Sequence, residues 1–258
     1  MLQRMFRLAG RARLVAACTV VGALLAPTTA SAGIVDSLRG WWPMWEGRGQ
    51  LVYDWSGHGN TGTLGSTPGP DTNDPTWIRG FLGSALNFGG DDFVRIKDTA
   101  DLEPAAVTAS AWVRAPQSPG QFKYIMGKGA SGCLGASWGL YTGDDGQIAF
   151  YVWDGRNYTR TPAVAGGIWD GRWHHVAGTY DGSTVKLFVD GTLTGSSATT
   201  SPIAYDLPTS GDAGLGNYLG TCDLFYTGDI AQVAVFGEAL PVDAIWSRVA
   251  SSFPRPAR

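Results

Sequence analysis

The sequence predicts an all-β fold of antiparallel strands, and three observations carry that expectation. The 258 residues include 37 glycines, 14 prolines and 11 tryptophans but only three glutamates (Glu46, Glu103, Glu238), a composition poor in strong helix formers. Five Asp-Gly pairs, at 145–146, 154–155, 170–171, 181–182 and 190–191, mark tight turns, because glycine accepts positive φ and aspartate bonds its neighbouring backbone. Short aromatic and β-branched runs lie between them with the period-two alternation of strands.

The first 32 residues stand apart from the fold. Arg4, Arg7, Arg11 and Arg13 precede an apolar run over 14–26, and Ala30-Ser31-Ala32 follows. A basic head, a short apolar core and small residues are the parts of a secretory signal peptide, here expected to be cleaved after Ala32. The apolar run is well short of the ~20 residues a spanning helix needs. Cys18 follows a lipobox-like Val15-Ala16-Ala17, but most of the apolar run lies beyond it, which argues against lipidation. The expected order is signal peptide 1–32, one domain over 33–252, and a disordered tail over 253–258.

Strands are expected over 41–45, 85–88, 93–97 and 107–114, with a proline-bearing loop over 65–76. Three runs then read as an antiparallel meander: 147–153, 173–180 and 184–189. Alternation puts Ile148, Phe150 and Val152 on one face of the first run and Ala149, Tyr151 and Trp153 on the other. Val185, Leu187 and Val189 likewise oppose Lys186 and Phe188. Strands over 213–216 and 229–236 follow. A short C-terminal helix over 240–249 begins at Pro241 and carries Val242, Ile245, Trp246 and Val249 as one stripe.

Removing residues 1–32 takes four arginines and no acid, leaving 15 basic against 22 acidic residues and a net charge of −7. Nucleic acid and anionic membrane surfaces are thereby poor partners. Cleavage also leaves two cysteines, Cys133 and Cys222. An even pair in an exported protein reads as one disulfide, the alternative being two separate buried thiols.

Several segments together resemble the laminin G-like jelly-roll domains of the concanavalin A-like lectin/glucanase superfamily. They are Gly40-Trp41-Trp42-Pro43 with Glu46-Gly47-Arg48-Gly49, then Asp54-Trp55-Ser56-Gly57-His58-Gly59-Asn60, then Gly83-Ser84-Ala85-Leu86-Asn87-Phe88. Trp173-His174-His175-Val176-Ala177-Gly178-Thr179-Tyr180-Asp181-Gly182 continues the series, and Gly228-Asp229-Ile230-Ala231-Gln232-Val233 closes it. The resemblance spans about 38–250 and implies a two-sheet antiparallel jelly-roll sandwich. It also implies calcium in many members. Asp54 and Asn60 in a glycine-rich loop would supply oxygens, with Asp229 or Gln232 from the closing strand. Gln232 stands where the family usually carries glutamate.

The fold hosts lectins, adhesion modules and glucanases alike, so function rests on the site. Tyr151, Trp153, Asp154, Asn157 and Tyr158, on the non-core side of one strand and its turn, are the expected sugar-stacking residues, with Tyr141, Tyr218 and Tyr226 as weaker additions. Trp41, Trp112 and Trp173 are assigned to the core. His174 and His175 point to opposite faces and are read as structural. Glycoside hydrolysis needs two carboxylates roughly 5–9.5 Å apart, and no strand carries such a pair. The sequence therefore points to a secreted, extracellular, non-catalytic binding domain whose partner is a glycan. The other reading is an adhesion module meeting a cell-surface or extracellular protein.

Overall fold

The structure, a computed structural model, describes residues 36–80, 82–164 and 167–245. The expected signal peptide and tail lie outside the described residues. In chain order the strands are β1 (Leu38–Trp42), β2 (Leu51–Val52), β3 (Gly62–Leu64), β4 (Thr76–Gly80), β5 (Gly83–Gly89), β6 (Val94–Ile96), β7 (Val107–Arg114) and β8 (Tyr124–Ala130). There follow β9 (Trp138–Thr142), β10 (Ile148–Trp153), β11 (Tyr158–Arg160), β12 (His174–Tyr180), β13 (Thr184–Val189), β14 (Thr192–Ala198), β15 (Ser210–Leu215) and β16 (Thr227–Phe236).

They form two eight-stranded antiparallel sheets, the jelly-roll sandwich that the sequence implied. The first sheet runs β14-β13-β12-β7-β16-β5-β4, with β1 also pairing β16; the second runs β11-β10-β9-β8-β15-β6-β3-β2. The space between the sheets is filled by residues such as Val107, Val113, Val176, Trp138, Leu140 and Phe150, each fully buried. Alternation decides which side chains enter it: Ile148, Phe150 and Val152 face the other sheet, as do Val185, Leu187 and Val189.

The expected meander does not form. β10 belongs to the second sheet, whereas β12 and β13 pair in the first. β11 folds back onto β10, and the chain crosses to the opposite sheet before β12 starts. The two strands meet face to face, with the Phe150 ring lying directly over Gly178: a Cβ there would fall 2.0 Å from Phe150 Cγ. Facing strands and paired strands have the same alternation, so the pattern alone did not separate them.

The Asp-Gly turns do form, and all five glycines adopt positive φ. Asp145, Asp154, Asp170 and Asp181 each accept backbone N–H groups two or three residues on. Helical residues at 242–245 follow Pro241, whose carbonyl accepts the Ala244 and Ile245 N–H groups. Ala244 and Ile245 pack with Leu240, Phe188 and Phe236 over the outer face of the first sheet. Trp246 and Val249 of the expected stripe lie outside the described residues. The 65–76 loop gives way to β4 at Thr76.

Candidate functional site

The outer face of the second sheet is covered by tyrosines. Tyr151 points there from β10, Tyr141 from β9 and Tyr124 from β8, joined by Tyr218 from the loop after β15. Register fixes the arrangement, since Tyr124 lies opposite Tyr141, and Tyr151 lies opposite Gly139 on one side and Arg160 on the other. Glycines make room for the rings. A Cβ at Gly139 would sit 2.6 Å from Tyr151 Cε1 and 2.9 Å from Tyr124 Cε1, and one at Gly127 would sit 2.9 Å from Tyr124 Cδ1. The Tyr124 and Tyr151 hydroxyls bond each other at 2.5 Å, and the Ala136 N–H donates to Tyr151. Burial pushes both phenols well above their ordinary pKa, so they stay neutral.

Beside this cluster lies a cleft of about 530 Å³, within the usual size range of ligand pockets. Five tyrosines (Tyr124, Tyr141, Tyr151, Tyr158 and Tyr218) line it together with Phe122, Leu134 and Leu224. Tyr158 is the most exposed of these tyrosines, at 59%, and stacks edge-on against Tyr151 with centroids 6.1 Å apart. The charged lining residues are Asp144 and Arg160, which pair at 2.8 Å. The Arg160 guanidinium holds the Asp144 carboxyl below its usual pKa, and the same bond raises Arg160.

The Cys133–Cys222 disulfide forms, with Cα atoms 5.4 Å apart, and Cys133 sits in the cleft wall. The Tyr218 hydroxyl fixes the same wall: it accepts the Ser131 and Gly135 N–H groups and donates to the Gly135 carbonyl.

The expected sugar-stacking residues divide. Tyr151 and Tyr158 line the cleft, Tyr151 by a largely buried edge at 3% exposure. Trp153 does not form an exposed platform. It is 5% exposed and packed with Tyr151 in the outer cluster, because that face of β10 is itself a covered core. Asp154 and Asn157 build the β10–β11 turn, the aspartate accepting the Arg156 and Asn157 N–H groups, and neither lines the cleft. Tyr141 and Tyr218 do line it, whereas Tyr226 is fully buried between the sheets. Trp112 is buried, while Trp41 and Trp173 are only partly so. Phe122, Tyr124, Leu134, Asp144, Arg160 and Leu224 were not anticipated. The available signal was the glycines at 127 and 139, which sit under rings.

The calcium residues are arranged otherwise than the resemblance implied. The Asp54 carboxylate accepts the N–H groups of Trp41, Ser56 and Asn60 and the Ser56 hydroxyl. Asn60 Oδ1 accepts the Thr99 hydroxyl while its amide donates to the Arg39 carbonyl. Asp229 lies in a cross-strand row, accepting Asn87 Nδ2 at 2.7 Å and Arg114 Nε at 2.6 Å. Gln232 has φ +51° and donates its amide to the Pro43 carbonyl. A glutamate there would set a carboxylate against that carbonyl oxygen. These oxygens face donors, not a common centre, so the four residues do not fit one calcium ion. Among the described residues, no group of three His, Cys, Asp or Glu side chains is placed to hold a metal.

His174 is bracketed by Asp190 (Nδ1 to Oδ2, 2.7 Å) and Asp170 (Nε2 to Oδ1, 3.2 Å). Its pKa is raised by these two carboxylates against an opposing desolvation. His175, on the other register, is 1% exposed, and burial lowers it to about 4.

Solved structures share this architecture at low identity. The binding domain of Paraclostridial Mosquitocidal Protein 1 is 13% identical with a TM-score of 0.65, over 84% of this chain and 53% of that one. Domain 4 of AbnA, an extracellular arabinanase of Geobacillus stearothermophilus solved with arabinotriose, is 16% identical with a TM-score of 0.63, over 82% and 97%. Botulinum neurotoxin type C, whose cell entry depends on two ganglioside molecules, is 15% identical with a TM-score of 0.60, over 86% and 53%. The chain thus spans about half of the toxin structures and nearly all of the arabinanase domain, and identities this low speak for fold alone. No curated protein matches the sequence. A family model, Laminin_G_3, matches residues 88–245, so the chain belongs to the concanavalin A-like lectin/glucanases superfamily.

Proposed function

We propose that this chain is an exported, non-catalytic glycan-binding module whose site is the tyrosine-lined cleft on the outer face of the second sheet. One observation carries the reading: the cleft joins five tyrosines to one carboxylate, Asp144, which is already paired with Arg160. Tyrosine rings offer apolar faces for sugar C–H surfaces and hydroxyls for their rims. Hydrolysis by paired acids would need a second carboxylate nearby, and Glu46, Glu103 and Glu238 are engaged elsewhere, with the Tyr53 N–H, Lys128 and the Ser37 hydroxyl respectively. The arabinotriose-bound and ganglioside-dependent relatives support glycans as the partner class. Export is supported by the leader-like residues 1–32 and by the disulfide. Among the described residues no helix is long and apolar enough to cross a membrane.

Binding of micromolar to millimolar strength is expected, about −8 to −4 kcal/mol. Tyr158→Ala tests the reading, because an exposed ring can be removed with little effect on the fold. A panel of oligosaccharides including arabinotriose should lose at least tenfold affinity with this variant, its melting temperature staying within about 2 °C. Unchanged binding would place the site elsewhere.

A second reading, a protein-docking face, is favoured by Trp41, Trp45 and Trp55, whose rings stack edge-to-face at 5.3 Å with Trp45 and Trp55 about half exposed. Trp55→Ala leaves glycan binding intact if the cleft is the site.

A further inference from the structure

We propose that the cleft selects uncharged oligosaccharides and turns away acidic ones, through the pairing of Asp144 with Arg160 in its exposed wall; this rests on the glycan reading above. Among the described residues these two are the only charged groups lining the cleft, and they are of opposite sign. Arg160 is held by register, opposite Tyr151 on the β10–β11 hairpin, so its guanidinium has a fixed station beside the rings. It bonds Asp144 at 2.8 Å and also reaches the Tyr141 hydroxyl. A sialic acid or uronate carboxylate entering the cleft must therefore displace Asp144 from Arg160, the one cation among the described lining residues, or share that cation with it against like-charge repulsion. It must also approach a chain whose residues 33–258 carry a net charge of −7, a field that repels anions at low ionic strength.

A neutral sugar meets neither obstacle. Its hydroxyls can accept from the guanidinium N–H groups that remain and donate to the free lone pairs of Asp144, so both charges keep their partner. Its apolar ring faces lie on Tyr158 and Phe122, the exposed rings of the lining. Asp144 thus sets specificity: it is the element that disfavours the wrong ligand, while the rings favour the right one.

The test uses the full mature chain on a glycan panel. Arabinotriose, xylotriose, cellotriose and lactose form the neutral set; 3′-sialyllactose and trigalacturonic acid form the acidic set. Wild type should bind at least one neutral member, and every acidic member at least tenfold more weakly. Asp144→Asn, at a site 57% exposed in its side chain, removes the carboxylate without disturbing the core and frees Arg160. It should raise binding of the acidic set by about fivefold or more, an increment that added salt diminishes. Equal binding of both sets by wild type, or no gain of acidic binding in Asp144→Asn, overturns the selectivity while leaving the glycan reading standing. Binding of no member of either set overturns both.

Discussion

Trp153 and Tyr158 face each other across the β10–β11 hairpin, yet one is 5% exposed and the other 59%. Alternation placed both on the non-core register, which is correct as far as faces go. It could not say that the outer face of the second sheet is covered by Tyr141 from the neighbouring strand together with Tyr124 and Tyr218, which arrive from farther off in sequence. Trp153→Ala is accordingly expected to cost about 3–5 kcal/mol, the usual cost of emptying a buried aromatic site. Denaturant unfolding would show it; a loss under 1 kcal/mol would return Trp153 to the surface. The histidine pair is the other residue-scale case. His174 has a raised pKa, so its contribution is complete below about pH 6.5 and fades as pH rises through its folded value. His175, lowered to about 4, acts with the opposite sign. Below about pH 6.5 only the unfolded chain takes up its proton, so stability falls toward pH 4 by roughly 3 kcal/mol. His175→Gln should flatten the acid limb of a stability–pH curve, and His174→Gln the loss of stability that sets in as pH rises above about 6.5. Parallel curves for wild type and both variants would refute the assignment.

Elements were legible where β-branched residues dominate. The expected bounds of β7 and β13 match the structure, and the Asp-Gly turns formed where read. β8 and β9 were missed, because Gly127, Gly129 and Gly139 look like turn residues when neighbours in space are invisible. At Gly127 and Gly139 the residue is dictated by the ring above it, a close approach that only three dimensions disclose, and at Gly129 by a φ of +73°. Gly139→Ala should therefore force Tyr151 or Tyr124 aside, costing about 1–3 kcal/mol and weakening glycan binding, since both rings line the cleft. Gly143→Ala is the control. A Cβ there finds its nearest neighbours at 3.5–3.6 Å, an ordinary contact. If the two variants unfold alike, the ring–glycine packing is not what fixes this floor.

At the scale of the molecule, the question is what the two sheets depend on. The inter-sheet core is continuous and apolar and takes no side chain from the Asp54 loop, which meets it through the Asn60 carbonyl accepting the Trp42 indole N–H at 2.7 Å. The disulfide ties the loop after β8 to the loop after β15, across a separation of 89 residues, so it fastens the cleft wall and not the core. The resemblance implied calcium at Asp54 and Asn60, but family patterns record residue types without showing which atoms their oxygens face. Here Asp54 accepts four donors and thereby anchors the chain at Trp41, Ser56 and Asn60. Its role is that of a turn organiser, and the two roles predict different melting curves. A cation present at 100 times its dissociation constant would add ~2.7 kcal/mol, about 5–10 °C for a domain of this size. We expect no such shift: calcium and chelator should leave the melting temperature of the wild type unchanged to within about 1 °C. Asp54→Ala should lower it by about 3–10 °C in either condition, because three part-buried N–H groups lose their acceptor at ~1–3 kcal/mol in all. A chelator-sensitive wild type, with that sensitivity absent from Asp54→Ala, would restore the metal and show that the donors around Asp54 give way to it.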